Sequence, residues 1–434
     1  MSATATTSAT PAPQRAPRKA DRVARGWDIM ATRTFRTHCL AALVAGWLAA
    51  MPLAVPAQAR SPAPHLPSLR LLGSATLPAG LMVENTRVGG LSGLDYDPAT
   101  RQWLLVSDDR SQHAPARVYT ATLDLDADGL HGVTFTGMRV LRQADGTPYP
   151  DPGRYLWAGG DVPDWEAVRW DPLAPGFWLA GEGDRALGLP PGIVRMSPAG
   201  QLQAQLPTLP GFGVHRLRIQ GPRRNLAFEG LTFTPDGQSL WVGMEGPLAQ
   251  DGPVPTPDEG GWARFTRIDR EGGMLAQVAY PVDPIPARPA HGRHADNGVS
   301  EILALDATRL LVLERAAVQP ADGPMRNFLR LYLADLSTGS DVRGQERLRP
   351  GAFTPVTKQL VLDLTTLDTR LDNLEGMAWG PRLPNGNATL VMVSDDNFNA
   401  SQVTLFLAFE VREESRNAPG RSGAGSAGPP ASPP

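Results

Sequence analysis

Residues 89–110 read GGLSGLDYDPATRQWLLVSDDR, and this stretch decides the fold. Its apolar side chains first alternate along the chain, at Leu94 and Tyr96, which is typical of a strand with one buried face. An Asp-Pro pair follows and indicates a turn, and a second apolar run then leads to Asp108. The stretch therefore predicts a β-hairpin that opens at Ser92 and closes on an acid.

The same hairpin occurs five times in the sequence. Each copy opens with Glu or Ser, continues with apolar residues at the second and fourth following positions, and closes on a carboxylate. The opening residues recur at intervals of 74, 63, 72 and 74 residues, and each interval has room for two more strands. The opening residues are Ser92, Glu166, Glu229, Glu301 and Glu375, and the closing acids are Asp108, Glu182, Glu245, Glu314 and Asp395.

A repeated unit of four antiparallel strands is the blade of a β-propeller, so the predicted fold class is all-β. The last unit supplies only three strands, and residues 69–77 are predicted to add the fourth and close the ring. We count five blades. A sixth would have to lie between Asp335 and Leu364.

Composition narrows the classes of protein. The chain has 434 residues with 45 Gly and 43 Pro, which favours turns over long helices. Its one cysteine, Cys39, excludes a disulfide scaffold and a zinc site built on several thiolates. Residues 1–59 hold seven basic and two acidic residues, which leaves 34 basic and 42 acidic residues in the remainder, a net charge of −8. An acidic remainder argues against nucleic acid as a partner.

Both chain ends are predicted to lie outside the propeller domain at 60–416. Residues 1–59 have the basic start, short apolar segment and Ala-x-Ala site of a secretory signal peptide, with Met30 as an alternative start. Cleavage would leave a periplasmic or secreted protein with no membrane span; an uncleaved N-terminal anchor is the alternative. Residues 417–434 are rich in Gly, Pro and Ser and are predicted to be a disordered tail.

Propeller geometry predicts that the acids meet. In an antiparallel hairpin the opening and closing residues lie at the same end, and all blades point the same way around the axis. Crowded carboxylates repel one another and need arginine partners, backbone N–H donors, raised pKa values or a bound cation. Calcium, which prefers many oxygen ligands, fits such a site better than zinc. The alternative is that the opening glutamates accept hydrogen bonds from neighbouring blades and lock the ring.

The motifs at 89–110, 224–252, 298–315 and 372–399 resemble those of the phytase-like proteins known as "esterase-like activity of phytase". The order and spacing are similar from about residue 69 to 411, although Ala167 replaces the glycine of the usual Glu-Gly pair. This family is similar to calcium-dependent propeller phytases in architecture. The resemblance therefore implies hydrolysis of a small phosphate ester by a Ca²⁺-dependent, monomeric enzyme.

If the implied chemistry holds, cations bind the phosphate oxygens and lower the pKa of the attacking water. Glu229 and Glu245 are then catalytic, and Arg110 and Arg315 clamp the phosphate, unless these arginines merely pair with adjacent acids. The predicted metal ligands are Asp108, Glu166, Glu182, Glu301, Glu314, Glu375, Asp395 and Asp396.

Two other functional interpretations remain open at this point. The chain could be a non-catalytic propeller that binds a ligand or protein, or a lactonase-like hydrolase with one central cation. The sequence has no Arg-His-Gly-x-Arg-x-Pro loop, no Gly-x-Ser-x-Gly turn and no phosphate-binding loop. His291 and His294 lie in a segment rich in Pro and Gly and are expected on a mobile loop; the alternative is that they reach the mouth of the propeller.

Overall fold

The computed structural model describes residues 66–215 and 219–412. Five four-stranded antiparallel sheets form the blades of a β-propeller, which confirms the predicted all-β fold and the count of five. The predicted signal peptide and C-terminal tail lie outside the described residues. No helix among the described residues is long and apolar enough to cross a membrane.

The strands follow one another as an up-and-down meander. The chain enters with β1 (Ser68–Thr76), β2 (Met82–Val83) and β3 (Thr86–Arg87). Blade one comprises β4 (Leu91–Asp97), β5 (Gln102–Ser107), β6 (Arg117–Leu125) and β7 (Leu130–Val140). The helix α1 (Pro152–Ala158) leads to blade two, with β8 (Trp165–Trp170), β9 (Phe177–Gly181), β10 (Gly192–Met196) and β11 (Leu202–Gln205). Blade three comprises β12 (Phe228–Phe233), β13 (Ser239–Met244), β14 (Gly261–Asp269) and β15 (Met274–Val282). Blade four comprises β16 (Gly298–Ala304), β17 (Arg309–Val318), β18 (Arg326–Asp335) and β19 (Thr357–Asp363). Blade five comprises β20 (Asn373–Trp379), β21 (Ala388–Asp395) and β22 (Leu405–Arg412).

The two ends of the described chain close the ring. Strand β1 pairs antiparallel with β22 and completes the fifth sheet, as the sequence predicts. The segment between Asp335 and Leu364 holds β19, the outer strand of blade four, so no sixth blade forms among the described residues. The apolar faces of adjacent blades pack together as buried clusters, which is the usual core of stacked sheets.

Each inner strand contains a β-bulge that fixes which residue faces the propeller axis. In blade one Leu91 pairs with Ser107 and Gly93 pairs with Val106, so Ser92 has no partner across the hairpin. The same break leaves Glu166, Glu229 and Glu375 unpaired in blades two, three and five.

Blade four shows that the sequence alignment of the repeats is wrong there by one residue. Val299 pairs with Glu314 and Glu301 with Leu313, so the bulged residue is Ser300. Its hydroxyl donates to the carbonyl of Leu374 in blade five, at 3.3 Å. Because a slip of one residue moves a side chain to another face of the strand, Glu301 and Glu314 cannot lie where the other repeats put their acids.

Ser92, the bulged residue of blade one, makes the same kind of contact as Ser300. Its hydroxyl donates to the carbonyl of Trp165 in blade two, at 2.9 Å. The two serines therefore join neighbouring blades by donating to backbone carbonyls. The three opening glutamates at the same position face the mouth of the propeller instead.

Small residues follow the bulge because the inner strands approach closely at the axis. A Cβ atom on Gly93 would lie 2.7 Å from the carbonyl oxygen of Glu166, and one on Gly230 would lie 2.6 Å from the nitrogen of Ile302. Ala167 holds the corresponding place in blade two. Glu301 holds it in blade four, where its longer side chain enters the axis.

A buried ion pair fills the axis below the mouth. Arg169 Nη2 donates to Glu301 Oε2 at 2.8 Å, and both side chains are almost completely buried. The Arg169 guanidinium also donates to the carbonyls of Leu94 in blade one and Met377 in blade five. Glu301 Oε1 accepts the N–H of Leu231 in blade three, at 3.2 Å. One ion pair therefore bonds to the inner strands of all five blades.

Candidate metal centre

A cavity of about 1430 Å³ opens at the end of the propeller where the inner strands begin, and we call it the mouth cavity. The bulges turn Glu166, Glu229 and Glu375 into it, and residues at the ends of the second strands of four blades contribute a second set of acids. This second set is Asp108, Glu182, Glu245 and Asp395.

Two groups of three buried carboxylates form the densest part of the mouth cavity. Asp164, Glu166 and Glu182 can each offer an oxygen atom within 4.8 Å of the others, and so can Glu182, Glu229 and Glu245. Glu182 belongs to both groups, and its Oε1 also accepts the backbone N–H of Ala227 at 2.5 Å. We call these groups the first and second triads. The shared residue brings the two candidate cation positions side by side.

The pKa values of these carboxyls are raised, because burial disfavours the charged form and neighbouring carboxylates repel it. Burial raises the pKa of Asp164 to about 7 and that of Glu245 to about 8. Burial, reinforced by the neighbouring acids, raises the pKa of Glu166, Glu182 and Glu229 well above the usual range. Without a cation, the carboxyls of the triads therefore bind protons more tightly than ordinary carboxyls do.

Two arginines partly offset this negative charge. Arg315 Nη2 lies 3.3 Å from Glu245 Oε1 and its Nε lies 3.7 Å from Glu375 Oε1. Arg110 forms an ion pair with Asp184, and its Nε lies 3.6 Å from Asp164 Oδ2. The Nε atoms of both arginines are buried and make no hydrogen bond within the described ranges. Both predicted phosphate-binding arginines line the mouth cavity, and both also have the ion pairs of the alternative interpretation.

Arg315 occupies the place that an acid holds in the other blades. Glu314 pairs with Val299 inside the ladder, and the next residue, Arg315, is equivalent to Asp108, Glu182, Glu245 and Asp395. Glu314 accepts hydrogen bonds from the hydroxyl of Tyr280 at 2.8 Å and the amide of Asn297 at 3.1 Å, and it pairs with Lys358.

The proposed metal roles of Glu301 and Glu314 are therefore corrected. Neither residue lines the mouth cavity. Glu301 is held at the axis by Arg169, and Glu314 is held between blades three and four by its own partners. The physical reason is the bulge at Ser300, which shifts blade four by one residue relative to the other repeats.

The other predicted ligands lie on the blade-one and blade-five side of the mouth cavity. Asp108 and Asp395 line it, and burial together with neighbouring acids raises the pKa of both. Asp396 does not line it. Its Oδ1 accepts the backbone N–H groups of Gly90 and Phe398, both at 3.0 Å, so Asp396 joins blade five to blade one.

The sequence patterns missed several residues of the mouth cavity. Asp164, a member of the first triad, lies two positions before Glu166, and Asn373 lies two positions before Glu375 and donates to its Oε1 at 2.8 Å. The two-residue period of the strand could have indicated both. His294, expected on a mobile loop, lines the cavity and lies 2.7 Å from Asp296.

The donor set fits calcium. The triads consist only of carboxylates, and further oxygen atoms come from Asp108, Asn225 and Asn373 on the cavity wall. Ca²⁺ takes six to eight oxygen ligands in loose geometry, whereas zinc prefers nitrogen and sulfur in a tetrahedron. A bound cation would also remove the repulsion that raises the pKa values of the triads.

The raised pKa values predict an unusual pH dependence of stability. Unfolded carboxyls titrate near pH 4, so between about pH 5 and 8 the folded metal-free protein keeps protons that the unfolded chain has lost. The free energy of unfolding should therefore fall as the pH rises through this window. Carboxyls whose pKa is lowered in the folded protein, such as Asp171, change the free energy of unfolding only below this pH window.

Thermal midpoints measured with a chelator at pH 5, 6, 7 and 8 check this expectation. Saturating Ca²⁺ should largely remove the decline, because the cation stabilises the ionised triads. A metal-free protein that becomes more stable from pH 5 to pH 8 would contradict the assignment of buried, repelling carboxyls.

Comparison with known proteins identifies the class. The family model "Phytase-like: Esterase-like activity of phytase" matches residues 86–398, which is more than half of the chain. The chain therefore belongs to this phytase-like family, and the family supports a hydrolase-type propeller. None of the curated proteins compared with the chain is significantly similar to it.

Two enzymes are among the solved structures to which the chain is similar. An endo-arabinase from Bacteroides thetaiotaomicron is 12% identical over 76% of this chain and 95% of its own, with a TM-score of 0.40. An exo-beta-1,3-galactanase from Phanerochaete chrysosporium is 10% identical over 77% of this chain and 64% of its own, with a TM-score of 0.38. At these values the likeness carries no argument about substrate.

Proposed function

We propose that this protein is a Ca²⁺-dependent phosphoesterase whose reaction takes place in the mouth cavity. The observation that carries the proposal is the pair of buried carboxylate triads that share Glu182, in a member of the phytase-like family. The predicted signal peptide favours action on a small phosphate ester outside the cytoplasm. We expect a monomer, because each chain has its own complete set of triads.

Calcium, when bound, supplies positive charge that holds phosphate oxygens and lowers the pKa of a water molecule. The chain's own residues have three tasks. Glu182, Glu229 and Glu245 hold one cation, and Asp164 and Glu166 share Glu182 to hold a second. Arg315 and Arg110 point guanidinium N–H groups at the phosphate, since their Nε atoms have no hydrogen-bond partner within the described ranges.

The walls of the mouth cavity then orient the substrate. Its volume of about 1430 Å³ is larger than a phosphate group needs, so the esterified alcohol can also enter. Side chains of Asn225, Asn327 and Gln402 line the wall and can hydrogen-bond to alcohol hydroxyls. A polar, phosphorylated small molecule fits this lining better than an apolar ester.

The deciding experiment is hydrolysis by purified protein with and without Ca²⁺. We expect release of phosphate from p-nitrophenyl phosphate and glycerol 2-phosphate with Ca²⁺, and loss of at least about 100-fold of this rate after chelation. Re-addition of Ca²⁺ should restore the rate. Isothermal titration calorimetry of the chelated protein should show Ca²⁺ binding independently of activity.

Two controls separate the alternatives. Carboxyl esters and sugar lactones, assayed in parallel, test the lactonase-like interpretation with one cation. A folded protein that binds Ca²⁺ and hydrolyses none of these substrates would overturn the proposal and favour a binding propeller. Turnover of phosphate esters that is unaffected by chelation would overturn the role of the triads.

A further inference from the structure

We propose that His113 is the general acid that protonates the leaving alcohol in the mouth cavity, an inference that rests on the proposed phosphoesterase function. His113 lies on the loop between β5 and β6 of blade one, lines the mouth cavity and is about half exposed. No repeat pattern points to it, because the other blades have no equivalent histidine in their hairpins.

Asp109 fixes the tautomer of this imidazole. Its Oδ1 lies 3.2 Å from His113 Nδ1 and also accepts the backbone N–H of His113 at 2.7 Å. Its other oxygen forms a buried ion pair with Arg117 and accepts the N–H of Ala114. Both oxygens of Asp109 thus face N–H donors, and Arg117 supplies the matching positive charge. Asp109 therefore accepts from Nδ1.

Phe398 fixes the plane of the ring. The two rings stack with centroids 4.2 Å apart and an interplanar angle of 18°. Phe398 comes from the loop after β21 of blade five and is itself covered by the guanidinium groups of Arg87 and Arg117. A half-exposed histidine on a loop is thus held from two sides, by blade one and by blade five.

These contacts leave Nε2 as the nitrogen that can reach a substrate. Within residues 66–215 and 219–412, no side chain or backbone group is hydrogen-bonded to it. A histidine oriented by a carboxylate through one nitrogen, with the other in a cavity, has the arrangement of a general acid or base. Charged groups that contact the stacked rings include Asp109 at His113, and Arg87, Arg117 and Asp396 at Phe398.

The arginines, the triads and the other histidine of the mouth cavity are poorly suited to this task. Arginine does not release its proton in proteins, so Arg110 and Arg315 can bind the phosphate but cannot protonate the alcohol. Bound Ca²⁺ would deprotonate the triads. His294 lines the cavity from the loop before β16, and its Nε2 is the atom that contacts Asp296 at 2.7 Å. His113 therefore combines a held ring with an accessible nitrogen.

In the proposed hydrolysis, one P–O bond forms and another breaks. A water oxygen forms a new P–O bond while the P–O bond to the alcohol breaks, and the alcohol oxygen keeps the electron pair of the broken bond. That oxygen takes the proton from His113 Nε2, and the attacking water loses a proton to solvent through the open cavity. Solvent then reprotonates the neutral imidazole. The net reaction is hydrolysis of the phosphate monoester to the alcohol and inorganic phosphate.

Dependence on the leaving group tests the proposal. The variant His113→Asn keeps an amide donor near Asp109 but cannot transfer a proton. With saturating Ca²⁺ near pH 6.5, its kcat on glycerol 2-phosphate should fall about 100-fold, because an alkoxide needs protonation. Its kcat on p-nitrophenyl phosphate should fall only a few-fold, because p-nitrophenolate leaves without a proton. Ca²⁺ binding and the thermal midpoint should remain close to those of the wild type.

The matched control is His294→Asn, which alters the other histidine of the cavity that has a carboxylate partner. This variant should change kcat on glycerol 2-phosphate and kcat on p-nitrophenyl phosphate by the same factor. Equal losses on both substrates in His113→Asn, or no loss on either, would overturn the role of His113 while leaving the phosphoesterase intact. A wild type that hydrolyses neither substrate with Ca²⁺ would overturn the phosphoesterase and this inference together.

Discussion

Replacing Glu182 with Gln should abolish hydrolysis while making the metal-free protein more stable. Glu182 is the carboxylate that both triads share, and its pKa is raised by burial and by Glu245 and Asp164. A neutral amide of the same shape removes that repulsion and can still accept the N–H of Ala227. Because it weakens two cation positions at once, we expect a loss of at least about 100-fold in hydrolysis.

Thermal midpoints at pH 8 test the predicted gain in stability of the metal-free variant, and calorimetry tests its predicted loss of Ca²⁺ binding. Without metal, Glu182→Gln should unfold at a higher temperature than the wild type. Ca²⁺ should stabilise the wild type by about 2.7 kcal/mol for each occupied position at a free concentration of 100 times Kd, and the variant much less. The exposed Glu271→Gln serves as control and should behave like the wild type. A Glu182 variant that binds Ca²⁺ normally would remove the basis of the metal centre.

Replacing Arg169 with Gln should destabilise the protein by about 3–5 kcal/mol, because it leaves the Glu301 carboxylate buried without its cation. The substitution also deprives the carbonyls of Leu94 and Met377 of their donor. Burial raises the pKa of Glu301 to about 7 even though Arg169 lowers it, so the substitution removes the main contribution that favours the charged carboxylate. The inner strands of all five blades are affected together.

Denaturant unfolding measures this loss, with Arg309→Gln as the matched control. Arg309 pairs with Asp306 at the surface, where both side chains are partly exposed, and such pairs contribute up to about 1 kcal/mol. The double variant Arg169→Met with Glu301→Met removes both charges and should be more stable than Arg169→Gln. Equal effects of Arg169→Gln and Arg309→Gln would show that the axial ion pair has no special role.

Periodicity alone predicts the blades of this propeller, because alternation, turns and spacing are local properties of the chain. It also predicts closure by the terminal strand, since a sheet edge needs a partner. It does not predict the register of blade four, where Ser300 is bulged and the neighbouring Glu301 resembles the opening glutamates in sequence alone. A bulge adds one residue without changing the apolar pattern that precedes or follows it.

The composition of the mouth cavity depends on that register. Sequence spacing places Glu314 among the closing acids, whereas pairing across the hairpin gives that place to Arg315. Asp164 and His113 have no counterpart of the same type in every repeat, so a search for repeated residues passes over them. Residues that occur once in a repeat protein become visible as site residues only when the blades are assembled around the axis.

The seam between β1 and β22 sets the order in which the molecule can be completed. Residues 405–412 are synthesised more than 300 positions after Ser68. Strand β1 can therefore pair with β22 only after the strands of all the blades have been synthesised. Asp108 of blade one and Asp395 of blade five, whose carboxylates repel each other, lie on the first and the last blade of the ring. The side of the mouth cavity that these two blades form is therefore the last part to be completed.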